Sequence, residues 1–271
     1  MPARLALVGR AHFIGVAVTA IPLYFQRPGM PVVAASLVIG SGGDANPTGR
    51  SGLANFTAAM LNQGTASRNT LTLANDIAQP GARISASSSK DAITVSLPSL
   101  KSNLPSAIDL LADVALRPSF PKDEVERQRR SRLASLVAQR QDPQTVASTV
   151  TLAMLYGPSH RYGHIELGNE SAIRATVRED MEAFWKRTLV PGNAALIVSG
   201  AIGERELKPL VEKAFGAWPA AGRRAAASRG ARVGRRAATA RGEVRRRRRR
   251  RRAADLCRRR DDWRRVLDAG P

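Results

Sequence analysis

Gly52-Leu-Ala-Asn-Phe-Thr-Ala-Ala-Met-Leu-Asn-Gln-Gly-Thr65 carries no charged residue. Leu53, Phe56, Met60 and Leu61 recur at the spacing of one helical face, Ser51 stands where an N-cap belongs, and Gly64 is placed to end the helix. Upstream, Pro31 to Gly40 is a short β-rich apolar run closed by the turn-forming Ser41 to Gly49, which reads as a buried strand and a loop. Downstream, a helix over Leu71 to Ala78 stops at Pro80-Gly81. Ala82 to Ser88 and Ala92 to Leu97 then alternate apolar and polar residues about Lys90-Asp91, which predicts a hairpin. The uncharged helix therefore sits between a buried strand and a pair of neighbouring strands.

The rest of the body continues in this mixed pattern. Ile108, Leu111, Ala112 and Ala115 mark a helix from Leu104 that Pro118 ends. Pro121 opens another, with Val125, Leu133, Leu136 and Val137 on one side and a dense charged face on the other. Val146, Val150, Met154 and Leu155 mark a third. After an irregular stretch from His160 to Gly168, Ser171 caps an amphipathic helix with Ile173, Val177, Met181, Phe184 and Trp185. Ala194 to Val198 reads as a buried strand, and Glu204 to Phe215 as a helix with Leu207, Leu210, Val211 and Phe215 inward. Strict strand–helix alternation is missing and a hairpin is present. The chain is therefore expected to be α+β, an antiparallel β-sheet with helices packed on one face. With 43% apolar residues in 271, it can bury a sizeable core.

Residues able to carry chemistry are few. His160 and His164 have the i, i+4 spacing of two metal ligands on a helix, but Gly157, Pro158 and Gly163 deny that helix. No Gly-x-Ser-x-Gly elbow is present, and Ser41-Gly-Gly-Asp44 lacks the Lys and spacing of a phosphate loop. Asn55-Phe-Thr57 and Asn169-Glu-Ser171 match the glycosylation triplet, yet Asn55 lies in the predicted helix. The single cysteine, Cys257, excludes a disulfide framework and any cysteine-based zinc module.

The frame of Gly52 to Thr65 resembles the zinc-site helix of the insulinase/pitrilysin family (M16), whose pattern runs Gly-x-Ala-His-x-x-Glu-His-Met-x-x-x-Gly-Thr. Gly52, Ala54, Met60, Gly64 and Thr65 match that frame, and Phe56 and Leu61 supply its usual apolar residues. In the family the two histidines bind zinc from one helical face, and the glutamate acts as general base on the zinc-bound water, whose pKa falls toward about 7. Those histidines correspond here to Asn55 and Ala59, and the glutamate to Ala58. The family's third ligand, in a segment resembling Phe120-Pro-Lys-Asp-Glu-Val-Glu-Arg127, falls on Ser135, and a supporting acid falls on Gln128. The resemblance thus implies no catalytic residue and no metal or other cofactor bound by this chain, zinc being expected only in an active partner half.

Gln141-Asp-Pro143, His160-Arg-Tyr-Gly163, Leu189 to Gly200 and Phe215-Gly-Ala-Trp-Pro219 look like further landmarks of the family. They divide the chain into an N-terminal segment over 1–27, an N-terminal-type domain over 28–160, the start of a C-terminal-type domain over 161–220, and a tail over 221–271. Family peptidases commonly work as two related halves, one with zinc and one degenerate, as separate subunits or fused. The resemblance implies that this chain is the degenerate half, closing around a peptide substrate beside a zinc-bearing subunit or fused half. The start of resemblance near Pro28 is compatible with the second half of a longer fused chain.

Net charge is +21, from 43 basic against 22 acidic residues. Ala221 to Pro271 holds 20 Arg, no Lys and 5 acids, a net of +15, and leaves +6 on residues 1–220. An alternative reading makes the chain a nucleic-acid-binding protein acting through that tail. However, phosphate is neutralised as well by Lys as by Arg, and the body uses 6 Lys among 23 basic residues. Arg, Ala and Gly are what GC-rich codons yield in a wrong frame. The eight arginines 245–252 are therefore expected to belong to a disordered or frameshifted segment, with later strands missing and a free edge left beside Ala194 to Val198.

No apolar run reaches the roughly 20 residues of a spanning helix. Ala11 to Phe25, after Arg4 and Arg10, loosely resembles a signal peptide, but it contains Pro22 and is followed by Gln26-Arg27-Pro28 in place of small cleavage-site residues. A buried first strand or a misassigned start are the alternatives there. The compartment, periplasmic or cytoplasmic, is left open.

Overall fold

The structure is a computed structural model that describes residues 12–13, 21–26, 29–79, 81–157 and 160–218. The Arg-rich segment, and with it the expectation of a disordered or frameshifted tail, lies outside the described residues, as do most of the residues in the signal-peptide-like stretch. The described residues fall in one compact unit, Met1–Ala227. In chain order its elements are β1 (His12–Phe13), β2 (Ile21–Gln26), β3 (Val32–Ile39), α1 (Leu53–Met60), α2 (Thr70–Ala78), β4 (Ser85–Ser88), β5 (Ile93–Leu100), α3 (Leu104–Leu116), α4 (Lys122–Arg140), α5 (Pro143–Tyr156), α6 (Glu170–Ala175), α7 (Arg178–Thr188), β6 (Ala194–Gly200) and α8 (Glu204–Phe215).

The strands form one sheet in the order β1-β2-β6-β3-β5-β4. From β6 through β3 and β5 to β4 every pairing is antiparallel, while β2 runs parallel to β6. The α+β fold with an antiparallel sheet is as expected. The placement of β6 differs from expectation. It lies inside the sheet, paired on both sides, with Leu37 opposite Leu196 on β3 and Leu23 opposite Ile197 on β2. The free edge expected beside Ala194 to Val198 is therefore absent, because β2, the strand reading of the Ala11 to Phe25 stretch, fills it.

Period-two alternation puts one face of the sheet in the core. Val33, Ala35, Leu37 and Ile39 are buried on β3, Ile93, Val95 and Leu97 on β5, and Leu196 and Val198 on β6. Leu37 faces Val95 across one ladder and Ile39 faces Ile93. The helices cover that face with Phe56, Met60, Ile108, Leu111, Phe184, Trp185 and Phe215. β4 begins opposite Ser96, so Pro98 in β5 lies beyond the residues that β4 pairs.

Three helices depart from the sequence expectation. The apolar series Ile173, Val177, Met181 spans two helices, because the Asp180 carboxylate accepts the Val177 N–H at 3.0 Å and restarts the helix there, leaving Val177 exposed. The first of the pair is capped by Asn169, whose Oδ1 accepts the Ala172 N–H at 2.8 Å, and not by Ser171. On α4, Val125 and Leu136 are buried but Val137 faces out, and α5 buries none of its residues.

Candidate functional site

The site helix α1 is held at both ends. Gly52 begins it with φ of 86°, and its backbone crosses that of Gly168 so closely that a Cβ on Gly52 would lie 2.4 Å from the Leu167 carbonyl oxygen. Ser51 does not cap it. Asn46 Oδ1, from the preceding loop, accepts the Ala54 N–H at 2.8 Å. Past its C-terminal end the Thr65 hydroxyl donates to Asp113 Oδ2 at 2.7 Å, and Ser67 and Arg68 donate to the same oxygen. Burial pushes the Asp113 carboxyl up, but those hydrogen bonds and the charge of Arg117 outweigh it and hold it below the ordinary carboxylate value.

The five positions taken from the sequence lie on the two helices that meet here. On α1, Ala58 is buried, and Asn55 and Ala59 are half-buried. On α4, Gln128 is half-buried and Ser135 is exposed, its hydroxyl turned back to the Ser131 carbonyl at 3.0 Å. The residue that joins the helices was missed by the sequence reading. Arg132 lies one turn from both Gln128 and Ser135, on the face they share. Its Nη1 donates to Asn55 Oδ1 at 2.8 Å and its Nη2 to the Asn55 carbonyl at 2.9 Å. The guanidinium carbon stands 4.6 Å from the centre of the Phe56 ring, the distance of a cation–π contact.

Arg132 is only 7% exposed, and its Nε finds no partner. Burial pulls the guanidinium down to about 10, so it stays cationic at neutral pH. Periodicity contains the signal that finds it. Val125, Arg132 and Leu136 fall on one stripe of α4 and all three are buried.

Asn55 also borders a cavity of about 80 Å³, shared with Ser51, Gly52, Lys90, His164 and Glu166. Lys90 donates to the His164 carbonyl, and burial lowers its ammonium against the opposing pull of Glu166 and Asp91. The His160 to Gly168 stretch is irregular, as expected. The His160 ring stacks on Tyr156 at 5.5 Å, and its Nδ1 accepts the Tyr162 N–H at 3.1 Å.

A metal fits this donor set poorly. Asn55 offers one neutral oxygen already bonded to a cation, Ala58 and Ala59 offer none, and Ser135 points its hydroxyl at its own helix. Among the described residues, no three His, Cys, Asp or Glu side chains are grouped to hold a metal ion. Among them, too, no helix is long and apolar enough to cross a membrane.

Comparison with known proteins gives the class of the chain. Residues 23–161 match the family described as insulinase (peptidase family M16), and residues 176–257 match the peptidase M16 inactive domain, a match that runs on through the arginines 245–252. The chain belongs to the insulinase family, peptidase family M16.

An uncharacterized zinc protease of Mycobacterium leprae is 29% identical over 178 residues, 66% of this chain and 40% of the relative. The probable mitochondrial-processing peptidase subunit beta of Arabidopsis thaliana is 25% identical, over 60% of this chain and 31% of the relative. The crystal structure of a peptidase M16 inactive domain from Pseudomonas fluorescens superimposes with a TM-score of 0.74 at 26% identity, covering 80% of this chain and 52% of that one. The chain thus spans about 40% of the length of the mycobacterial relative it matches.

Proposed function

We propose that this chain is a catalytically degenerate M16 half, which encloses and holds a peptide beside a zinc-bearing half. The observation that carries this is the Arg132–Asn55 pairing inside an otherwise kept frame. Gly52, Met60, Gly64 and Thr65 retain their packing roles while the ligand positions Asn55, Ala59 and Ser135 and the base position Ala58 carry no zinc chemistry. Without a metal-bound water or a general base, the site has no means of attacking a peptide bond. The proposed organisation keeps 28–160 as the N-terminal-type region and 161–220 as the start of the C-terminal-type region.

Substrate holding is supported by the sheet. Among the described residues β4 is the terminal strand, pairs with β5 on one side, and packs against α1. An extended peptide adding to its open side would lie beside the site helix, with backbone hydrogen bonds providing affinity without sequence selection.

The test uses the purified full chain. It should contain no stoichiometric zinc and cleave no peptide alone, yet raise the rate of a zinc-bearing M16 chain from the same genome. Zinc together with peptidase activity in the isolated chain would sink the reading.

A further inference from the structure

We infer that the Arg132 guanidinium stands in the place between α1 and α4 where a metal would have to sit, as a built-in cation that keeps the site closed to zinc. The inference rests on the functional reading above and deepens it. Loss of ligands alone would leave an empty or apolar gap, and restoring the ligands would restore the metal. The observed arrangement is different.

The only side-chain donor among the three α1 positions, Asn55, already gives its amide oxygen to Arg132 Nη1 at 2.8 Å, and its carbonyl to Nη2 at 2.9 Å. Arg132 also occupies the α4 face between Gln128 and Ser135, through which any ligand from that helix would have to reach α1. Phe56 supplies the remaining wall with the face of its ring, 4.6 Å from the guanidinium carbon. Two neutral oxygens and a π face form a pocket suited to a cation, and the residue within it is 7% exposed. A divalent ion brought to the same place would meet a fixed like charge in a poorly hydrated site, where repulsion is least screened. The bidentate grip also fixes the α1 to α4 spacing, so the guanidinium serves as a positioning group as well as a plug.

The test measures bound zinc by elemental analysis after gel filtration of three full-length chains: the wild type; a variant with Asn55→His, Ala58→Glu, Ala59→His and Ser135→Glu; and the same variant with Arg132→Val added. The four-residue variant should stay essentially free of zinc. The five-residue variant should bind it at least about tenfold more tightly, a difference of about 1.4 kcal/mol. Stoichiometric zinc in the four-residue variant, or equal zinc in the two, overturns the inference. Zinc in the wild type instead overturns the functional reading, so the two failures are distinct.

A second measurement covers the case in which the multiple variants fail to fold. Arg132→Gly opens a guanidinium-shaped space, and millimolar ethylguanidinium should raise its melting temperature while leaving the wild type unmoved. Absence of that rescue overturns the inference.

Discussion

The Thr65 hydroxyl, just past the end of the site helix, donates to Asp113 Oδ2 at 2.7 Å on a carboxylate that is 1% exposed. Arg68 and Arg117 complete the cluster, so one buried charge ties the loop after α1 to α3. Because these partners hold the folded Asp113 below its unfolded value of about 3.9, its contribution is complete above that pH and is lost as pH falls through the lower folded value. Asp113→Asn should cost about 1–3 kcal/mol at neutral pH. Urea denaturation at a series of pH values should show the gap between wild type and variant closing below about pH 4. A gap that stays constant into acid would show that the carboxylate charge is not what stabilises the cluster.

Gly52 and Gly168 cross with no room for a side chain, both at positive φ, and a Cβ on Gly168 would lie 2.2 Å from the Ser51 carbonyl. Gly52→Ala should therefore destabilise by at least about 2 kcal/mol, combining left-handed strain with a backbone clash. Gly49 has a similar φ of 78° but nothing within 4 Å of an added Cβ, so Gly49→Ala should cost less, about 1 kcal/mol from backbone strain alone. Equal losses by chemical denaturation would mean that the crossing relaxes freely.

Much of the sheet and helix inventory is legible in local pattern, because Val33, Ala35, Leu37 and Ile39 alternate and Ile108, Leu111 and Ala115 recur at helical spacing. Pairing across the chain leaves no such trace. Nothing in Ala194 to Gly200 announces that it lies between β2 and β3, since both partners are distant in sequence. The break between α6 and α7 was hidden because Ile173, Val177 and Met181 keep a helical period across it, and only Asp180 capping Val177 reveals a restart. The frame of Gly52 to Thr65 was legible as a motif, whose ligand positions are replaced under the functional reading. Arg132 was not, because within a charged run its burial shows only when its register with Val125 and Leu136 is followed.

β6 separates β2 from β3, so the sheet depends on residues far along the chain. A chain ending at Val190 would remove the strand that both neighbours pair with, and would expose the edge of β3 together with buried Leu37 and Ile39. Such a truncation should lose cooperative unfolding and aggregate. Within the full chain, Leu196→Ala, at a residue 3% exposed, should cost about 2–5 kcal/mol. Thermal unfolding followed by circular dichroism measures both. A truncated chain that melts cooperatively would show that β3, β4 and β5 form a stable unit without β6.

Val146, Val150 and Met154 succeed one another by a helical turn along α5 and are all exposed, Met154 by 83%, on a helix with no charged residue. An apolar stripe left exposed among the described residues contributes little to the stability of the fold. Val150→Thr and Met154→Gln should therefore change the unfolding free energy by no more than about 0.5 kcal/mol, in contrast to the Leu196 substitution. Under the functional reading, the zinc-bearing half is the partner that would cover this stripe. The same two substitutions together should then weaken association with that half by about tenfold or more, read by sedimentation of the mixed chains. Unchanged association would place the contact elsewhere on the surface, and a large loss of stability would show that α5 packs more closely than its exposure indicates.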